Sequence, residues 1–133
     1  MADFYQEITT WLAAQTGLII GADIFGGSMP PEEKNNAVTI LDRGGLPQGG
    51  TSSEGNTAQI ALQVLSRGMT YKTGLTLSQD IFDVLHKTAQ QIDLGSWQIL
   101  NAVASARPAF IGYDEKKRYM FSHNYIIYAA TDW

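Results

Sequence analysis

Between Thr57 and Arg67 apolar and polar side chains alternate, and beyond Gly68 the period changes. Ala58, Ile60, Leu62 and Val64 point one way while Thr57, Gln59, Ala61 and Gln63 point the other. That is the period of a strand with one buried face. After Thr70, a plausible helix N-cap, Tyr71, Leu75, Phe82, Leu85 and Ala89 recur at helical spacing, with Ile81 and Val84 widening the stripe. The spacing predicts a helix over residues 70–91, with Gly95 beyond its end. A one-sided strand running into an amphipathic helix calls for a two-layer packing of helix on sheet.

The remaining segments fit that frame. Asp3 and Gln6 resemble a capping box, and Phe4, Ile8, Trp11 and Leu12 form an apolar stripe closed by Gly17. A helix over residues 3–16 follows. Residues 18–25 (LIIGADIF) read as a strand ended by Gly26-Gly27 and Pro30-Pro31, and residues 37–42 (AVTILD) as a second. Residues 43–56 hold 5 of the 13 glycines and cannot build a core. They read as a long exposed loop or flexible arm, with Leu46 and Pro47 placed to anchor it on a partner. Residues 97–106 and 109–113 read as strands joined through Arg107-Pro108, and 109–113 pairs with 119–130 across the turn 114–117. Tyr119, Phe121, Tyr125 and Ile127 share one face of that last strand. The expected fold is α+β in one domain over residues 1–133. A single mostly antiparallel sheet carries two amphipathic helices on one face and a long arm.

Composition narrows the function classes. Charged residues make up 17% of the chain against about 25% in typical domains. In their place stand 11 Thr, 9 Gln, 8 Ser and 5 Asn, which suits a subunit that covers much of itself in an assembly. With no Cys, disulfide scaffolds, thiolate metal sites and cysteine nucleophiles are excluded. The net charge of −4 argues against a dedicated nucleic-acid clamp, and Lys116-Lys117-Arg118 is nearly balanced by Asp114-Glu115. The N-terminal segment has neither a basic nor an apolar region of the kind a signal peptide needs, and no apolar run approaches the ~20 residues of a membrane helix. A soluble, intracellular protein is expected.

Catalytic and cofactor motifs are absent. The glycine-rich segment has no Lys and leads into a strand, so it lacks the helix N-terminus of a phosphate loop, and no Rossmann spacing occurs. His86 and His123 have no His or carboxylate at i+2 or i+4, and both read as structural. Asp80 and Asp83 are expected to face solvent, and no Gly-x-Ser-x-Gly elbow is present. No cofactor and no enzymatic activity are expected.

The segment Ser66-Arg67-Gly68-Met69-Thr70-Tyr71, an alternating strand ending in Ser-Arg-Gly before the helix LTLSQDIFDVLH, resembles the tail-terminator (tail-completion) proteins of long-tailed bacteriophages. The order of elements is similar along nearly the whole chain. The resemblance implies a small α+β subunit, with neither catalytic residues nor cofactor, that assembles into a hexameric ring on the head-proximal end of the tail tube. Such a ring stops tube polymerisation and docks on the head connector. It also implies that Arg67, Gly68 and Tyr71 form the strand-to-helix corner. The partners would be copies of the chain, the tail-tube protein and the head–tail connector proteins, with DNA passing an acidic or polar lumen without specific binding. The protein would be made in the host cytoplasm and end in the virion tail or neck. A ring subunit needs two different edges, because head-to-tail contacts that close by rotation give cyclic symmetry. Leu46, Pro47, Gln59, Gln63, Arg67 and Tyr71 are the expected assembly interface. A head-closure or connector protein, a tail-tube subunit, or a small enzyme or ligand-binding domain are the alternatives.

Overall fold

A computed structural model describes residues 4–27, 29–47, 57–86 and 92–131. The first helix, α1 (Phe4–Thr16), buries Phe4, Ile8, Thr9, Leu12 and Ala13, so the periodic apolar positions meet the core. Gly17 follows at φ +81°, a left-handed conformation that suits glycine. The strand expected over residues 18–25 is confined to β1 (Ile24–Gly26). Before it the chain makes a tight turn in which the N–H groups of Ala22, Asp23 and Ile24 all donate to the Ile19 carbonyl. A short, mostly apolar run carries no clear period, and Gly21 at φ +84° lets the chain turn instead of extending, with the Asp23 carboxylate accepting the Ile19 N–H.

Strand β2 (Ala37–Pro47) is longer than expected, taking in residues 43–47 that read as part of the arm. Its ladder shifts register between Asp42 and Gly45 and then continues to Leu46↔Gln59 and Pro47↔Ala58. Pairing with a neighbouring strand thus overrides poor strand propensity. Residues 48–56, the rest of the arm, lie outside the described residues. β3 (Thr57–Gly68) buries Ile60, Leu62, Val64 and Ser66 on one face.

Helix α2 (Tyr71–His86) buries Gly74, Ser78, Ile81, Phe82 and Leu85. The stripe is rotated from the expected one: Tyr71 is exposed and Leu75 half-buried, because the close approach to β3 is made by Gly74. Residues 87–91, including Ala89, lie outside the described residues. β4 (Ile92–Asp93), β5 (Trp97–Ala104), β6 (Ala109–Tyr113) and β7 (Tyr119–Thr131) complete the chain.

The sheet runs β1-β2-β3-β7-β5-β4, and β6 also pairs with β7. β7 lies against β3 from Thr57↔Ala130 to Gly68↔Tyr119. Its other edge is shared end to end, by β5 along one half and by β6 along the other. β1 and β2 are parallel and the other pairs antiparallel, so the sheet is mixed. Both helices pack on one face, where Ile8, Leu12, Ile81 and Leu85 meet Ile40, Leu62, Val64, Tyr125 and Ile127. The α+β class holds.

Candidate functional site

The corner between β3 and α2 is built on close backbone approach. A Cβ on Gly68 would stand 2.4 Å from the Gly74 nitrogen, and one on Gly74 would stand 2.9 Å from the Phe121 ring. Ser66 Oγ donates to the Gly74 carbonyl at 2.9 Å. Thr70 caps α2 as its position suggests, its Oγ1 accepting the Thr73 N–H at 3.1 Å.

Beside this corner Arg67 and Arg118, both buried, hold the loop between β1 and β2. Arg67 Nη2 donates to the carbonyls of Pro31, at 2.9 Å, and Lys34. Arg118 Nη1 donates to the carbonyls of Glu32, at 2.7 Å, and Lys34, at 3.0 Å, while its Nε reaches the Asp114 carboxylate at 2.7 Å. Burial alone would push the Asp114 carboxyl up. The N–H groups of Arg118 and the backbone of Lys116 outweigh it and hold the group below its ordinary value. Burial and then the adjacent Arg118 charge push Arg67 down, and its Nε has no hydrogen-bond partner. Arg67 therefore works inside the chain. Sequence reasoning missed this clamp, because the carbonyls that it binds lie 33 and 36 residues away.

Tyr71 opens an aromatic cluster, with ring centroids 5.1 Å from Phe121 and 6.0 Å from both Phe110 and Tyr119. Gln59 and Gln63 lie on the sheet face opposite the helices, in register with Tyr128 and Asn124. Gln63 Nε2 donates to Ser122 Oγ at 2.9 Å. Leu46 and Pro47 join this region by backbone pairing with Gln59 and Ala58. The structure thus brings Leu46, Pro47, Gln59 and Gln63 together and sets Arg67 and Tyr71 at the other end of β3.

Elsewhere the polar groups serve packing. His123 bridges Ser78 Oγ, 3.2 Å from Nδ1, and the Tyr125 hydroxyl, 2.9 Å from Nε2. All three are buried, and burial pushes the His123 imidazole down to about 4. The third member is a phenol, not the carboxylate of a hydrolytic triad. Burial, and then Asp83, push the Tyr125 hydroxyl up. His86 stacks on Phe82 with centroids 4.6 Å apart. Asp80 and Asp83 are exposed; burial and then Asp83 push the Asp80 carboxyl up. A groove of 340 Å³ between α1 and β4 has Glu7, Trp11 and Asp93 in its wall. The Glu7 carboxylate accepts the N–H groups of Ser96 and Trp97, and that of Asp93 accepts Gly95 N–H. Among the described residues no three His, Cys, Asp or Glu converge as for a metal, and no helix is long and apolar enough to cross a membrane.

A family model described as bacteriophage tail terminator protein matches residues 11–131, and the chain belongs to that family. No curated protein gives a significant match. The family is structural and non-enzymatic, so the chain is a component of the phage tail.

Proposed function

We propose that residues 1–133 act as one domain that closes head to tail with copies of itself into a ring of six subunits on the head-proximal end of the tail tube. The ring ends tube polymerisation and offers the docking surface for the head connector. The observation that carries this reading is the difference between the two edges of the sheet. On one side β1 covers only Val38–Ile40 of β2, and among the described residues no strand pairs with the rest of that edge. On the other side the sheet divides, ending in β4 beyond β5 along one half of β7 and in β6, held only through the Tyr119–Ser122 part of β7, along the other. Unlike edges favour head-to-tail contacts, and these give a ring when the rotation closes.

Gln59 and Gln63, with the backbone of Leu46 and Pro47 paired beside Gln59 and Ala58, contribute to the contact with neighbouring proteins, at low desolvation cost because they carry no charge. Tyr71 contributes from the aromatic end, and Arg67 contributes by holding the loop that shapes that end. The net charge of −4 suits a lumen past which DNA slides without being held. The subunit is made in the host cytoplasm and reaches the virion at the tail–head junction.

Electron microscopy of tails made without this protein tests the reading. Overlong tails are the expected result. Normal tails beside heads that leak DNA would mark a head-closure protein, and absent tubes would mark a tube subunit.

A further inference from the structure

Resting on the ring reading above, we propose that the turn carrying Ile19 and Ile20 in one subunit packs against the edge of β6, which pairs with no further strand among the described residues, in the next copy. Ile24 pairs with Val38, Val38 with Ser66, Ser66 with Phe121 and Phe121 with Phe110, so one row crosses five strands from β1 to β6. Ile20 extends that row beyond β1 by bridging to Ile24. The two patches therefore stand at the same height on opposite ends of the sheet.

Both ends are apolar and open. Ile19 and Ile20 are 64% and 52% exposed, and Ile111 and Tyr113 on β6 are 56% and 60% exposed. No residue of β6 is buried. Large apolar side chains so displayed mark a contact surface.

Their shapes differ in a way that selects a second copy arranged head to tail. The isoleucines sit exposed on a tight, hydrogen-bonded turn: the Ile19 carbonyl takes three backbone N–H groups, and the Asp23 carboxylate takes the Ile19 N–H at 3.0 Å. The β6 end is a strand edge backed by an aromatic wall, with the Phe110 ring 5.3 Å from Tyr113 and 6.0 Å from Tyr71. An exposed aliphatic turn finds a longer apolar partner in an aromatic strand edge than in another turn. Chain directions agree. β1 runs parallel to β2 and each further step to β6 reverses direction, so β1 and β6 are antiparallel. Copies set side by side in one orientation present antiparallel edges to each other.

The chain has no Cys, so an introduced pair is the only one that can cross-link. Tails are made with Ile20→Cys/Ile111→Cys as the sole source of this protein, oxidised, and run on a denaturing gel. The expected result is a ladder of covalent multimers in steps of 14.6 kDa, with no species beyond a dimer from either single variant. Monomer alone from tails of normal length would overturn the contact and leave the ring reading standing. In parallel, Ile20→Asp and Ile111→Asp are each expected to give overlong tails while the purified variants keep the unaltered unfolding midpoint. Normal tails from both would overturn the proposal.

Discussion

Arg67 and Arg118 donate hydrogen bonds to the same oxygen, the carbonyl of Lys34. Two like charges share one acceptor because each has a further tie. Arg118 pairs with Asp114, and Arg67 reaches the Pro31 carbonyl. The arrangement fastens the loop before β2 to the end of β3 and the start of β7, and it is costly to break.

Arg118→Ala is expected to lower the unfolding free energy by about 3 kcal/mol, as when one partner of a buried pair is removed. Arg118 is only 1% exposed, and its loss strips the Glu32 and Lys34 carbonyls of one donor each and leaves the Asp114 carboxylate without its guanidinium. Urea unfolding measures the loss, and limited proteolysis should cut first within residues 30–36. An effect below about 1 kcal/mol would mean that the pair behaves as an exposed one.

Gly68→Ala and Gly74→Ala should separate. At Gly68 the new methyl meets backbone that cannot rotate away, and a cost of about 2–3 kcal/mol follows. At Gly74 it meets the Phe121 ring, and about 1 kcal/mol of helix propensity offsets part of the strain. The comparison of the two unfolding curves checks the order. A Gly74 variant as damaged as the Gly68 one contradicts it.

Stability should fall on the acid side through His123. Its folded value of about 4 lies below its unfolded 6.5, so the unfolded chain binds the proton first. The stabilisation is present above pH 6.5 and is lost as pH falls towards 4, by about 3 kcal/mol in all. A series of urea titrations over that window should show the slope, and His123→Gln should flatten it. An unchanged slope in the variant would assign the acid sensitivity to other groups.

Gln59→Glu with Gln63→Glu should spare the fold and harm assembly. The double variant replaces the bond that Gln63 donates to Ser122 by one that the Ser122 hydroxyl can donate to the new carboxylate, and puts two charges on the face opposite the helices. Folding is read by the unfolding midpoint and assembly by tail length. Tails of normal length would remove these glutamines from the interface.

Much of this fold was legible where periodicity was clean. The alternation through β3, the α1 stripe and the β6–β7 hairpin across residues 114–117 all stand as their residues imply. Legibility failed where no period exists or where distant partners decide. The run over residues 18–25, mostly apolar but broken by Gly21 and Asp23, has no clear period and turns at Gly21. Residues 43–47 extend because β3 lies beside them. Arg67 and Arg118 look like surface charges until the loop carbonyls arrive, and Ser78 meets His123 across 45 residues of chain. Tyr71 falls on the apolar stripe by count alone, yet the glycine contact rotates the helix and leaves its ring exposed.

The position of β7 has a kinetic consequence. It is made after every other described element, yet it lies inside the sheet, with β3 on one side and β5 and β6 on the other. Until it emerges from the ribosome, β3 has an open edge and β6 has no strand to join. The sheet therefore closes only after synthesis of β7, through contacts that span more than sixty residues, such as Gln63↔Asn124. Such long-range pairing folds slowly and leaves apolar edges exposed in the meantime.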